Sequence, residues 1–225
     1  MQADFARWFE DTDAGRYTAL RECAFFEHAL LSLRADYVVQ YGMADWLLYP
    51  NRICVGKDVF MGISATAWAK ESLDLLLMPH TLECCNSPQL ALAEAYRALK
   101  NEGRLVLTGF NPHSLWRFND RLNGEDLPDK SNCLALPQLK RYLKTQGFAI
   151  EQGRFLVYTP PVNSERALKF WRFLESAGDR WWPHAAAVYG LVLVKRSAGV
   201  HLLPEIEQVE CEEKNMILGV AALKE

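Results

Sequence analysis

No apolar stretch in this 225-residue chain approaches the roughly 20 residues that a membrane-spanning helix needs, so no membrane span is expected. Neither sign of charge dominates. With 25 Lys and Arg against 28 Asp and Glu, the formal net charge is -3, and the totals give no support to a phosphate-tracking surface for nucleic acid. The six cysteines form no CxxC pair, and Cys84 and Cys85 are adjacent, a poor geometry for a disulfide framework or a zinc site. No metal is therefore assigned, and reduced thiols in a cytoplasm are the simple reading. Asp4, Arg7 and Glu10 interrupt the aromatics at the N-terminus where a secretory signal would carry a basic patch and an apolar core, so none is expected. Internal repeats and low-complexity tracts are absent as well.

What is present fits a packed globular chain. Half the residues are apolar and 24% are charged, far from the composition of disorder. The length favours a single domain over residues 1–200, N-terminal helices included. From Pro204 the chain turns acidic (Glu205, Glu207, Glu210, Glu212, Glu213), so residues 201–225 are expected to form a loosely attached tail.

Hydrophobic spacing predicts helix over residues 4–33, broken near Thr12 to Gly15 into two. Short β-prone runs follow at 37–41, 52–55 and 59–61. Only about ten residues separate the first two, at or below the dozen that a parallel crossover with its helix requires, so residues 42–52 are expected to hold no full-length helix. Residues 73–78 (Leu-Asp-Leu-Leu-Leu-Met) and 105–108 read as strands buried on both faces, adjacent and parallel at the sheet centre. Between them, Asn86-Ser87-Pro88 reads as a helix cap and Gly103 as the helix end. Residues 117–135 read as a surface loop, 137–146 as a helix closed by Gly147, 148–158 as a strand, 164–175 as a helix and 188–195 as the last strand.

Three segments carry a resemblance: residues 74–83, ending Pro-His-Thr-Leu-Glu; the helix from Leu90 to Leu99; and residues 103–116, which include Gly-Phe-Asn-Pro-His-Ser-Leu-Trp. Together they resemble the methyltransferase type 11 family, in particular a bacterial subgroup with PHxLE and GFNPxSLW motifs. Gly15-Arg16-Tyr17 with Glu22 resembles that subgroup's N-terminal segment. The resemblance implies a Rossmann-like α/β fold of class I methyltransferases. Such a fold has a mostly parallel seven-stranded sheet with helices on both faces and an antiparallel last strand, here with a truncated first crossover. It also implies S-adenosylmethionine as cofactor, lying beyond the carboxyl ends of the strands. By this resemblance the cofactor-binding candidates are Gly42, Met43, Asp58, Ser64, Ala65, Pro79 and His80, and the substrate-binding candidates are Asn111, His113 and Trp182. No catalytic residue is assigned, and the acceptor, a small molecule or a protein, is unspecified, as is the oligomeric state.

The chain departs from the family pattern at three places. Its first loop reads Tyr41-Gly42-Met43-Ala44-Asp45-Trp46 and keeps one glycine of a glycine-rich turn. The second strand ends Val55-Gly56-Lys57, with Asp58 the nearest carboxylate for the ribose hydroxyls. Past the third strand, Gly62-Ile63-Ser64-Ala65 replaces the usual acid at the adenine. Trp46 reads either as an adenine stack or as a core plug, and His80 either as a proton-handling group or as a loop-fixing one. Asn111 before Pro112 points into the cleft or holds its loop. The aromatic segment 170–182 reads as a hydrophobic lid or a partner surface. Two functions fit: a methyl transfer enzyme working by positioning, or a non-catalytic binding module on the same fold.

Overall fold

A computed structural model of the protein describes residues 2–114, 116, 132–160, 166, 170–171 and 185–196. The expectations for the loop up to residue 131, most of the helix at 164–175, Trp181 and Trp182, and the acidic tail lie outside them. The chain opens with α1 (Gln2–Asp11) and α2 (Asp13–Leu30). Thr12 caps α2, its hydroxyl accepting the Gly15 N–H at 2.9 Å. A Cβ on Gly15 would stand 2.0 Å from the Trp8 carbonyl, so only glycine lets the two helices meet at this corner.

Strands β1 (Val38–Tyr41), β2 (Ile53–Val55), β3 (Leu73–Pro79), β4 (Leu99–Phe110), β5 (Phe148–Leu156) and β6 (Val188–Lys195) form a sheet in the order β2-β1-β3-β4-β6-β5. The first four are parallel, and β6 runs antiparallel to both β4 and β5. The two apolar runs expected at the centre are there: Leu75 pairs with Arg104 and Met78 with Leu107. Helix α3 (Pro88–Ala98) connects them, and α4 (Leu136–Gln146), ended by Gly147 at φ 95°, precedes β5. Alternation along β3 divides the core in two. Leu76 and Met78 join the cluster holding Leu92 of α3 and Leu139 of α4, whereas Leu75 and Leu77 join Phe9, Phe25 and Phe26 of α1 and α2. Helices thus cover both faces.

Three expectations need correction. The described residues contain six strands, and the run at 59–61 is not one of them. Val59 makes a single bridge back to Val55, because Gly56 turns at φ 100° and donates to the Val59 carbonyl at 2.7 Å, folding the chain against β2. Gly103 does not end α3. The helix stops at Leu99, which is already extended and pairs with Leu73, while Gly103 sits inside β4 where a Cβ would come within 2.8 Å of the Lys100 carbonyl. Ser87 occupies the N-cap position of α3 but makes no side-chain cap bond; Pro88 supplies the fixed φ instead.

Residues 42–52 hold turns and no helix, as their number requires. Gln40, fully buried in β1, supplies the physical reason. Its amide donates to the carbonyls of Gly42, Met43 and Trp46 at 3.1, 2.8 and 3.1 Å. Arg52 donates to Gln40 Oε1 at 2.5 Å and to the Ala44 and Trp46 carbonyls at 3.1 Å each. Carbonyls that a helix would have paired along its axis are held by two side chains.

Candidate functional site

Where strand order reverses between β1 and β3, an open α/β sheet leaves a crevice beyond the carboxyl ends of its strands. Here two adjoining cavities lie at that position, of about 380 and 670 Å³. Val55, Gly56, Phe60 and Cys84 line both. The smaller is completed by Gly42, Met43, Ala44, Asp45, Pro79 and His80, with Ala6 of α1 at its rim. Tyr41, Ile63, Ser64, Ala65, Thr81 and Asn86 are among those completing the larger. Of the seven cofactor candidates, Gly42, Met43, Pro79 and His80 thus border one cavity and Ser64 and Ala65 the other. Asp58 borders neither: its carboxylate turns back to accept the Cys54 N–H at 2.8 Å.

The floor is rigid. Thr81 donates to the Tyr41 carbonyl at 3.0 Å, tying the end of β1 to the turn after β3. Gly42 and Met43 follow with φ of 72° and 43°, and glycine at the first keeps a side chain out of this left-handed turn. His80 also adopts positive φ, 47°, a conformation that its surroundings must enforce. Both ring nitrogens are engaged by carboxylates: Nδ1 lies 2.7 Å from Glu83 Oε2 and Nε2 lies 2.7 Å from Glu22 Oε1. All three side chains are buried, at 0–2% exposure. Phe110 and Phe9 flank the ring at 4.5 and 5.3 Å, and the Phe110 N–H donates to Glu83 Oε1. Desolvation acts to lower the histidine pKa, but the two carboxylates outweigh it and push it up to about 10. The imidazole is a fixed cation beneath the cavity, not a base facing it.

Burial, followed by the charge of Glu83, pushes the Cys84 thiol up to about 11, so it meets the cavities as a neutral group. Trp46, half-buried, stacks edge-on against Phe9 at 5.2 Å and belongs to the α1–α2 side of the core. Asn111 is buried; it donates to the Ala186 carbonyl at 3.0 Å and accepts the His113 N–H at 3.0 Å, which fixes the loop after β4. His113 is exposed, and Trp182 lies outside the described residues.

Several residues of this site escaped sequence reasoning. Glu22 had been noted only within the N-terminal resemblance; a carboxylate among the apolar positions of α2 was its one signal. The His80–Glu83 spacing of three was visible, but a partner 58 positions away was not. Gln40 and Arg52 look like ordinary polar residues of short strands. Phe60, 84% exposed between the cavities, was read as part of a strand.

Residues 31–107 match the family described as methyltransferase domain, type 11. The uncharacterized protein YafS of Escherichia coli (strain K12) is 47% identical over 47 residues, which cover 21% of this chain and a fifth of that protein's length. A possible histamine N-methyltransferase from Thermotoga maritima, a SAM-dependent methyltransferase, superposes with TM-score 0.58 at 16% identity, covering 87% of this chain and 100% of that one. A SAM-dependent methyltransferase from Archaeoglobus fulgidus gives 0.50 at 15% identity, with 77% and 92% covered. The [4+2]-cyclase SpnF gives 0.51 at 12% identity, with 77% and 79% covered. These structural likenesses describe a fold, on which more than one chemistry is built. The sheet order, the crevice at its switch point and the matched segment together define a class I methyltransferase architecture. Within that class, residues 31–107 resemble the methyltransferase type 11 family.

Proposed function

We propose that the paired cavities bind S-adenosylmethionine and that the protein transfers its methyl group to an acceptor. The observation that carries this reading is the crevice at the β1/β3 switch point, with Gly42 and Gly56 presenting bare backbone to it. Its size suits a cofactor. In this reading Gly42, Met43, Pro79 and His80 hold the amino acid end through backbone groups, while Ser64 and Ala65 border the adenosine end. Phe60 presents its exposed ring as a stacking surface. One part of the fit is missing: Asp58, the carboxylate expected at the ribose hydroxyls, is committed to the Cys54 N–H, and the affinity is correspondingly weakened.

The bound cofactor supplies an electrophilic methyl group on a sulfonium. The chain's own contribution is positioning, with α1 covering the cavity rim at Ala6 and the Thr81 and Glu83 bonds holding the floor in place. Asn111 acts on the acceptor side by fixing the loop after β4. The cytoplasm is the compartment proposed, from the reduced cysteines. A second reading, a binding module without turnover, is favoured by the commitment of Asp58 and of the loop carbonyls to intramolecular partners. Ligand-observed NMR with S-adenosylmethionine separates the two. Saturation transfer that Gly42→Val abolishes supports the first, and no transfer from the folded wild type refutes it.

A further inference from the structure

Three cavities meet at Cys84. Val55, Gly56, Phe60 and Cys84 are shared by the two cavities at the switch point, and of these four Cys84 also borders a third, of about 420 Å³. That size suits a small molecule. In the donor reading above, the sulfonium lies where the amino acid end meets the adenosine end, so the third cavity opens beside the methyl group.

Its walls come from separate elements. Asn86 and Ser87 precede α3 and Gln89 stands in its first turn, while Gln138 and Tyr142 lie four positions apart on one face of α4. Leu134, itself buried, adds an apolar surface. Gln138 Nε2 donates to Tyr142 Oη at 2.6 Å. Hydrogen bonds from Gln138 first and Gln89 second hold the phenol below the ordinary tyrosine range. Two amides thus donate to one oxygen, and among the described residues nothing accepts the phenol's own proton. Tyr142 therefore offers a donor and the Gln138 carbonyl beside it an acceptor. Turning the amide over exchanges the two roles and leaves the same pair.

We propose that this cavity is the acceptor subsite and that it takes a planar heterocycle presenting a lactam edge, an N–H beside a C=O, to the Tyr142–Gln138 pair. The inference rests on the donor-binding reading and adds a substrate class to it. A lactam edge meets the pair one for one, with a donor against each acceptor, and Leu134 offers the ring an apolar surface. On transfer, a lone pair of the acceptor forms the new bond to the methyl carbon, and the carbon–sulfur pair stays with sulfur as a thioether. The acceptor's proton passes to water at the exposed rim formed by Asn86, Gln89 and Asn132. Cys84, a neutral thiol at the crossing, does not compete for the methyl group.

The test is saturation-transfer NMR with two probes: 2-quinolone, a lactam, and N-methyl-2-quinolone, which keeps the ring system but lacks the N–H. Wild type, Tyr142→Phe and Gln138→Leu are compared, each with and without S-adenosylhomocysteine. Both side chains are only partly buried, and a melt verifies that each variant folds. Wild type should bind 2-quinolone with S-adenosylhomocysteine present and bind the N-methyl probe roughly three- to tenfold more weakly, the scale of one neutral hydrogen bond. Each substitution should weaken 2-quinolone by a similar factor and leave S-adenosylhomocysteine binding as in wild type. Equal binding of the two probes, equal binding by the variants, displacement of 2-quinolone by S-adenosylhomocysteine, or no binding of either probe would each overturn the inference. If wild type binds 2-quinolone as expected but never S-adenosylhomocysteine, the donor reading fails and the acceptor role with it, while the lactam site stands.

Discussion

Arg52 Nε donates to Gln40 Oε1 at 2.5 Å, and between them these two side chains hold four carbonyls of the turn that follows β1. That pair replaces a crossover helix. Arg52→Ala should leave part-buried carbonyls without donors and cost about 1–3 kcal/mol. For a chain of this size, that lowers Tm by roughly 2–4 °C per kcal/mol, measurable by calorimetric melting. An unchanged Tm would show that the turn holds itself.

Stability should fall as pH rises above neutrality. His80 titrates near 10 in the folded protein against an ordinary value of 6.5, because its two carboxylates outweigh desolvation. Its contribution is therefore complete below the unfolded value and is lost as pH rises toward the folded one, at up to about 1.4 kcal/mol per pH unit. Urea unfolding between roughly pH 6.5 and 7.5, about a unit below the ordinary thiol value, keeps cysteine ionisation largely out of the slope. Glu22→Gln should flatten the slope; the same slope in both proteins would contradict the assignment.

The docking of α2 on the sheet can be tested at Gly190 of β6. A Cβ there would stand 2.6 Å from the ring of Phe25, itself 3% exposed. Gly190→Ala should destabilise by about 1–3 kcal/mol through overpacking. Pairing it with Phe25→Leu should recover part of that loss, a coupling readable in a double-mutant cycle.

Phe60 offers a test of the larger cavity. Its ring is 84% exposed, so truncation should leave stability within about 0.5 kcal/mol. If it stacks on the adenine, Phe60→Ala should weaken donor binding several-fold, in line with about 0.5–1.5 kcal/mol for an aromatic contact. Unaltered affinity would remove the stacking role.

Much of the frame was legible because single strong signals determine it. The continuous apolar runs of β3, β4 and β6 demand a sheet interior, the break near Thr12 to Gly15 divides two helices, and the short interval after Tyr41 leaves no room for a helix. Errors arose where a side chain overrides local propensity. Residues 59–61 favour a strand, but Asp58 ties the turn to Cys54. Gly103 looks like a helix end, but Leu99 has already joined β3. The site was half legible for the same reason. Backbone candidates such as Gly42 and Pro79 follow from strand ends, whereas Glu22 meets His80 only through the docking of α2.

The central claim is that the crevice over Gly42 holds the methyl donor, and a titration calorimeter paired with a melt tests it most directly. Saturable one-site binding of S-adenosylmethionine is predicted. At about 100 times Kd it should add roughly 2.7 kcal/mol of stability, a rise of about 5–10 °C in Tm. Gly42→Val, which puts a branched side chain at φ 72°, should remove both signals. No heat and no shift with S-adenosylmethionine or S-adenosylhomocysteine at millimolar concentration would contradict the account.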